Sequence, residues 1–195
     1  MTEGQPRPML MLVVCAAPPA LQIHELVEQV QLDGWTVQVI ATPTAMTWID
    51  TDRLTTLTGN PVRAATRRPD EPKTLPTADA VAVVPATFNT INQWCAGVND
   101  TLALGVLNEA LGSRLPVIAA PYAKSALTDH PIFGRNLRFL MDAGVDLLPT
   151  EAIRPTSADQ PFHWELITQR LKPYRERALA RRDGETASRR NHPGV

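Results

Sequence analysis

Cysteine is scarce in this sequence of 195 residues, which contains only Cys15 and Cys95. Two thiols are too few for a framework of disulfides or for the paired cysteines of a zinc or iron–sulfur site. Both thiols have apolar neighbours in the sequence. We therefore expect two buried, reduced cysteines and no bound metal.

An excess of charge and a long apolar run are lacking as well. The 19 Lys and Arg nearly balance the 20 Asp and Glu, so no overall field favours nucleic acid or an anionic membrane surface. No apolar stretch reaches the roughly 20 residues that span a bilayer, and no basic segment precedes the first short apolar run. We expect a cytoplasmic protein that binds neither nucleic acid nor membranes.

Glycine-rich nucleotide motifs are missing too. The ten glycines form neither the GxGxxG fingerprint of dinucleotide sites nor a GxxxxGK[ST] phosphate loop. What the chain does contain is a 44% fraction of hydrophobic residues, enough at this length for one domain with a substantial core.

Short apolar runs alternate with segments of helical spacing. Met9–Cys15 (MLMLVVC) is typical of a parallel strand that is covered on both faces, and the helical spacing of Leu21–Leu32 ends before Gly34. The same alternation predicts strands over 36–41, 80–84, 115–120 and 145–148, helices over 45–57, 133–143 and 164–179, and one or two helices over 91–111. This βαβ succession predicts a doubly wound α/β fold, with helices on both faces of a parallel sheet in three layers.

Three segments interrupt the alternation. Residues 60–77 and 150–162 are rich in proline and polar residues, and we expect surface connections or lids there. The segment from Arg181 onward, RRDGETASRRNHPGV, has almost no apolar residue. We predict a single domain over residues 1–180 and a disordered tail over 181–195.

Candidate ligand-binding residues follow the predicted strands. Ligands of open α/β sheets bind beyond the carboxyl ends of the strands, and small or hydroxyl residues follow four of them here, at 16–19, 42–45, 85–90 and 121–125. In the third stretch, PATFNT, we expect Pro85 to end the strand and Asn89 or Thr90 to cap the next helix. The stretch offers more polar groups than a cap needs, beside Phe88, whose ring could cover a planar ligand. A ligand loop and a simple cap both remain open from the residues alone.

The run Pro85–Thr90 resembles the PASANT motif of the homo-oligomeric flavin-containing cysteine decarboxylases, the family of phosphopantothenoylcysteine decarboxylase. The likeness continues through Ile91-Asn92 and Ala96-Gly97 to 100–102, and the strand ends fall at the family's spacing over most of residues 9–145. The resemblance implies a flavodoxin-like, Rossmann-like fold, bound FMN, and a homo-oligomer that is a trimer or a dodecamer of trimers. It also implies a flavin-dependent redox or decarboxylase-like reaction on a small or peptide-derived substrate.

The resemblance also implies which residues contact the cofactor. They are Ala16, Ala17, Pro18, Thr42 and Thr44 on the phosphate side, and Ala86, Thr87, Phe88, Asn89, Thr90 and Tyr122 around the isoalloxazine. Pro18 and Pro19 replace part of a Gly-Ser phosphate loop and have no N–H. The amides of Ala20 and Leu21 and the threonine hydroxyls would have to compensate.

The catalytic positions depart from the family's pattern. Glu71 stands where the family has a histidine, Lys124 stands where it has the asparagine of PxMN, and no cysteine follows Cys95. Lys124 could hold a carboxylate or phosphate, and Glu71 could act as a base if it is buried. His130 is a third candidate for catalysis, with helix capping as its alternative role.

These departures leave two other functions open. One is a regulatory member of the family that has lost catalysis. The other is a flavin prenyltransferase, for which Arg67, Arg68 and Lys124 would have to supply a phosphate pocket.

Overall fold

Five strands form one parallel sheet in the computed structural model, which describes residues 7–68, 70, 72, 75–157 and 159–191, the last eight by their backbone alone. The strands are β1 (Met9–Val14), β2 (Thr36–Ala41), β3 (Ala80–Ala86), β4 (Val117–Pro121) and β5 (Asp146–Leu147). The helices are α1 (Ile23–Leu32), α2 (Thr51–Thr58), α3 (Phe88–Cys95), α4 (Leu102–Gly112), α5 (Ser125–Thr128), α6 (Pro131–Asp142) and α7 (Glu165–Asn191). Short 3-10 turns lie at Pro18–Gln22 and Ala45–Thr47.

The alternating side chains of the central strands divide the core between the two faces of the sheet. Leu10 and Leu12 of β1 point to the face that α1, α2 and α7 cover, whereas Val13 points to the face that α3, α4 and α6 cover. A strand that is buried on both faces needs an apolar residue at every position, which explains the continuous run MLMLVV. The predicted doubly wound, three-layer α/β fold is confirmed.

The strand order is β2-β1-β3-β4-β5 and every pair is parallel. This is the flavodoxin-like order, in which the helix after β1 and the helices after β3 cover opposite faces of the sheet. The connections therefore diverge at the carboxyl ends of β1 and β3. Such a divergence leaves the crevice where open α/β sheets bind ligands.

Strand β3 continues through Pro85, so the prediction that this proline ends the strand is wrong. The Val84–Pro85 peptide bond is cis, and the β3–β4 pairing resumes at Ala86 after a shift in register that begins at Val83. Proline cannot donate to a ladder, but its carbonyl still accepts: the N–H of Cys15 donates to it at 3.3 Å. The motif is therefore joined to the sheet on the β1 side.

Helix α7 is longer than predicted. It runs through Arg181 to Asn191, so the predicted domain end at residue 180 falls inside the helix, and residues 192–195 of the predicted tail lie outside the described residues. The guanidinium of Arg182 donates to the carboxylate of Asp79 at 2.6 Å and to the carbonyl of Arg7 at 3.3 Å. These contacts, and the helix-favouring Ala, Arg and Glu of the segment, offset its lack of apolar residues.

Candidate functional site

The loops after the first four strands lie side by side at one edge of the sheet. The N–H of Thr42 donates to the carbonyl of Val14 at 2.9 Å, which joins the ends of β2 and β1. The N–H of Tyr122 donates to the carbonyl of Ala86 at 2.9 Å, which joins the ends of β4 and β3. With the Cys15–Pro85 bond between them, these contacts bring all the sequence-predicted cofactor residues to the same edge.

Two amide groups of the loop after β1 form hydrogen bonds within the loop. Ala17 is the extended residue before the turn Pro18–Gln22, and its N–H donates to the carbonyl of Cys15 at 3.0 Å. The N–H of Ala20 donates to the carbonyl of Ala17 at 2.8 Å. Ala20 was expected to supply a phosphate donor; its amide is hydrogen-bonded within the turn, and a contact with phosphate stays a prediction.

The loop after β2 presents hydroxyl groups. The Oγ1 of Thr42 accepts the N–H of Ala45 at 3.3 Å, which leaves its own O–H able to donate elsewhere. Thr44 is exposed and precedes the short turn Ala45–Thr47. This loop can therefore provide the donors that the loop after β1 lacks.

The polar groups of the motif after β3 divide into structural and exposed ones. The Oγ1 of Thr87 accepts the N–H of Thr90 at 3.4 Å and lies 3.1 Å from the hydroxyl of Thr90, which is buried. Thr87 is thus the cap of α3, and the prediction of Asn89 or Thr90 is wrong. The side chain of Asn92 accepts from Asn136 of α6 at 2.8 Å. Asn89 is exposed and keeps its amide on the surface of the edge.

The ring of Phe88 packs towards α6. It stacks on Phe133, with ring centroids 5.6 Å apart and an interplanar angle of 27°, and meets the ring of His130 edge-on at 5.8 Å. These contacts stabilise the pairing of α3 with α6. A contact of Phe88 with a planar ligand stays a prediction.

Both cysteines are free thiols, as predicted, but only Cys15 is buried as expected, whereas Cys95 is half-buried. Cys15 is fully buried, and burial raises its pKa although hydrogen bonds involving Thr90 and Thr87 act in the opposite direction. Burial also raises the pKa of Cys95, to about 11. Neither thiol has the lowered pKa of a nucleophilic cysteine.

The three candidates for catalysis have different positions. Lys124 is exposed and immediately precedes α5. His130 caps α6, since its Nδ1 accepts the N–H of Ile132 at 3.2 Å, in agreement with the capping alternative. Glu71 lies outside the described residues.

Sequence reasoning missed a group at the end of β4. The guanidinium of Arg154 lies 4.8 Å from the centre of the Tyr122 ring and pairs with the carboxylate of Glu151. Burial raises the pKa of Tyr122, Arg154 lowers it and Glu151 raises it again. The segment that holds Glu151 and Arg154 was expected to be a polar connection or lid, and its sequence has no periodicity that indicates a contact with Tyr122.

The part of the chain that the structure describes also forms a cavity elsewhere. A cavity of about 330 Å³ lies next to the beginning of β2, away from the carboxyl edge, and is lined by Asp33, Trp35, Thr168, Gln169, Lys172 and Arg175. The described residues contain no group of three or more His, Cys, Asp or Glu that could hold a metal ion. Among them, no helix has the length and apolar character needed to cross a membrane.

The chain is similar to several known proteins. It is 38% identical over 71 residues to the coenzyme A biosynthesis bifunctional protein CoaBC of Thermococcus kodakarensis, which is 36% of this chain but only 17% of that protein. It is 26% identical over 141 residues to the probable phosphopantothenoylcysteine decarboxylase of Streptococcus mutans, which is 69% of this chain and 78% of the relative.

The fold is shared with a solved structure. The FMN binding protein AtHal3 matches with a TM-score of 0.70 and 17% identity, over 87% of this chain and 97% of AtHal3. The family model described as Flavoprotein matches residues 2–170, which includes every strand and all of the carboxyl edge. On this match, the chain belongs to the Flavoprotein family.

Proposed function

We propose that this protein binds FMN at the carboxyl edge of its sheet and carries out a flavin-dependent redox or decarboxylase-like reaction on a small or peptide-derived substrate. The observation that carries the proposal is the segment 85–90, which lies where the strand order reverses and accepts hydrogen bonds from Cys15 after β1 and from Tyr122 after β4. Membership of the Flavoprotein family and similarity to the FMN binding protein AtHal3 and to a probable phosphopantothenoylcysteine decarboxylase support it.

The donor set of this edge fits FMN. The hydroxyls of Thr42 and Thr44 suit a phosphate, and the small side chains of Ala16 and Ala17 allow a ligand to approach the backbone closely. The exposed carboxamide of Asn89 can both donate and accept, as the polar edge of an isoalloxazine requires. The internal use of the Ala20 amide leaves the threonine hydroxyls with a larger share of phosphate binding.

The protein residues orient and bind, whereas FMN, when bound, supplies the acceptor and donor of an electron pair. Thr87 holds the beginning of α3 in place through its cap, which fixes the position of Asn89. Lys124 adds a positive charge at the same edge, where it can attract an anionic substrate.

The substitution Asn89→Ala tests the cofactor site. The purified protein is expected to be yellow, with a flavin absorption spectrum and FMN released on denaturation. Loss of the Asn89 amide should weaken FMN binding about tenfold, the effect of one or two lost hydrogen bonds, without a change in the circular dichroism spectrum. Fluorescence titration of the apoprotein with FMN measures the affinity of the variant and of the wild type.

Gln93→Ala is the matched control, because Gln93 is an exposed amide one turn further along α3. It should leave FMN binding unchanged. A colourless protein that takes up no added FMN would contradict the proposed cofactor. Equal FMN affinity of Asn89→Ala and the wild type would contradict the placement of Asn89.

A second candidate is a family member that keeps the fold but does not catalyse. It is favoured by Lys124 in place of the family's asparagine and by the lack of any cysteine after Cys95. Anaerobic mixing of the FMN-loaded protein with cysteine and with small thiols distinguishes the two. Bleaching of the flavin band with product formation would contradict the non-catalytic function.

We also propose a cytoplasmic homo-oligomer, with the trimer or dodecamer that the PATFNT motif implies. The exposed apolar side chains of Phe139 and Met141 on α6 are compatible with a contact between subunits. Light scattering coupled to size-exclusion chromatography measures the mass, and a monomer at all concentrations would contradict the oligomer.

A further inference from the structure

Three residues, which we call the Arg154 group, meet beside the candidate cofactor site: Tyr122, Glu151 and Arg154. Tyr122 follows β4, and its amide is bonded to Ala86 of the motif. The ring of Tyr122 is buried, with the guanidinium of Arg154 on its face and the ring of Phe162 at its edge, 6.4 Å away. A cation is thus fixed at the edge where the proposed function places the reaction.

The backbone holds this segment firmly against the sheet. The N–H of Glu151 donates to the carbonyl of Pro121 at 2.8 Å, and the N–H of Arg154 donates to the carbonyl of Glu151 at 2.8 Å. Ile153 between them is fully buried, and its carbonyl accepts the N–H of His163 at 3.0 Å. The position of Arg154 is therefore set by the fold and not by a loose loop.

Glu151 has an unfavourable backbone conformation. Its φ of 61° lies in the left-handed region, which a residue with a side chain rarely adopts. Such conformations persist where the surrounding structure imposes them, and they are enriched at binding sites. Here the conformation brings the Glu151 carboxylate to Arg154.

The Arg154–Glu151 pair has the geometry of carboxylate recognition. The Nε and Nη2 of Arg154 donate to the two carboxylate oxygens of Glu151, at 3.0 and 2.6 Å. Half of the Arg154 side chain is exposed, against 29% for Glu151, so a ligand can reach the Arg154 side chain from solvent. Stacking on Tyr122 and the planar fork of arginine fix the direction in which a carboxylate can bind.

We propose that Arg154 determines substrate specificity by binding a carboxylate of the substrate, which takes the place that the Glu151 carboxylate occupies in the free protein. The inference rests on the proposed function, because it assigns the substrate class of that same edge. Glu151 keeps the guanidinium aligned in the absence of substrate and competes with the substrate for it. Lys124, the residue predicted for this role, has no comparable stacking partner among the described contacts.

Arg170 offers a matched control. Its side chain is also 50% exposed, and it pairs with Asp146 at 2.5 Å beside the tyrosine Tyr174. This pair joins α7 to β5 and is no part of the proposed site. If Arg154 only forms an ordinary surface ion pair, substitution of Arg154 and of Arg170 should have the same effect on ligand binding.

The test measures binding of 3-mercaptopropionate to the FMN-loaded protein by saturation-transfer NMR titration under anaerobic conditions. The probe 2-mercaptoethanol, which has a hydroxyl in place of the carboxylate, is titrated alongside. Arg154→Ala should weaken 3-mercaptopropionate binding by about tenfold or more, the effect of a lost charge-assisted pair, and Arg154→Lys should weaken it less. Arg170→Ala should leave it unchanged, and no variant should change the binding of 2-mercaptoethanol.

Glu151→Gln gives the decisive result. It removes the competing charge and keeps the shape of the side chain, so 3-mercaptopropionate should bind more tightly than to the wild type. Weaker or unchanged binding to Glu151→Gln, equal effects of Arg154→Ala and Arg170→Ala, or no detectable binding even to Glu151→Gln would each overturn the assignment of Arg154. The FMN content of every preparation is determined first by absorption. A wild type that takes up no FMN contradicts the proposed function, a result distinct from a failure of Arg154 in FMN-loaded protein.

Discussion

The hydroxyl of Thr87 contributes to both the structure and the proposed chemistry of the carboxyl edge. It caps α3, lies against the hydroxyl of Thr90 and interacts with the thiol of Cys15 beneath the motif. A cap of this kind is worth about 1 kcal/mol, so a substitution of Thr87 would change stability and ligand binding together. Asn89 is exposed and lies outside this network, so a substitution of Asn89 should change ligand binding without changing stability.

The reactivity of Cys95 should depend on pH in a way that reports its burial. Its pKa of about 11 means that about 1% of the thiol is ionised at pH 9, where an ordinary thiol of pKa 9.0 is half ionised. We expect carbamidomethylation at pH 9 to be at least about tenfold slower in the native protein than in urea, as measured by mass spectrometry of the Cys95 peptide.

The raised pKa of Cys95 also makes the stability of the folded protein depend on pH. The raised pKa favours the protonated thiol in the folded state, so its contribution is complete below pH 9 and is lost as the pH rises towards 11. Cys95→Ala should therefore show a smaller loss of stability between pH 8 and pH 10.5 than the wild type.

For the alkylation experiment, equal rates in the folded and unfolded protein would contradict the assigned burial of Cys95.

Four of the helices end in the same way. The residue after each C-cap has a positive φ, and the N–H of the next residue donates back to the helix carbonyl five positions earlier, as in a Schellman motif. The positive-φ residues are Gly34 after α1, Gly97 after α3, Arg114 after α4 and Gly144 after α6. Arg114, at φ 54°, occupies a position where glycine has no steric penalty.

Arg114→Gly should stabilise the protein. Relief of the left-handed conformation exceeds the entropy cost of glycine, and we expect a gain of about 1 kcal/mol in the free energy of unfolding, measured with urea. Arg114→Ala removes the same exposed side chain but retains the steric penalty. A gain with alanine equal to that with glycine would show that the side chain, not the backbone, is responsible.

The strands were predictable from sequence because burial on both faces requires uninterrupted apolar runs, as at Met9–Val14. The details of the motif were not. Pro85 remains in β3 because its carbonyl can still accept, and the Thr87 cap depends on an angle that composition does not encode. The Arg154 group also could not be read from the sequence, because it joins β4 to a segment without periodicity through a tertiary contact.

Helix α7 connects distant parts of the whole molecule. The indole N–H of Trp164, just before the helix, donates to Glu25 of α1 at 2.8 Å, and Arg182 in the second half of the helix donates to Asp79 before β3. Between them, Ile167 and Leu171 are buried against the sheet. The part of the helix from Leu166 to Tyr174 thus covers one face of the core.

Leu171→Ala should destabilise the protein by about 2–5 kcal/mol, because it leaves a cavity under α7. The exposed Glu176 of the same helix gives the control Glu176→Ala, which should change stability by less than about 0.5 kcal/mol. Urea unfolding followed by circular dichroism measures both. Similar small effects of the two substitutions would show that α7 is not part of the cooperative core.

Trp94 and Trp48 give the molecule two optical environments. The indole N–H of Trp94 is buried and has no hydrogen-bond partner among the described residues, whereas Trp48 is 43% exposed. An indole without a polar partner emits at short wavelength, and one in contact with water emits further to the red. Trp94 lies on α3 behind the PATFNT loop, so resonance energy transfer to a yellow chromophore there would quench its contribution to the blue emission, to which the buried Trp35 and Trp164 also contribute. The protein thus contains its own fluorescent reporter for the site proposed here.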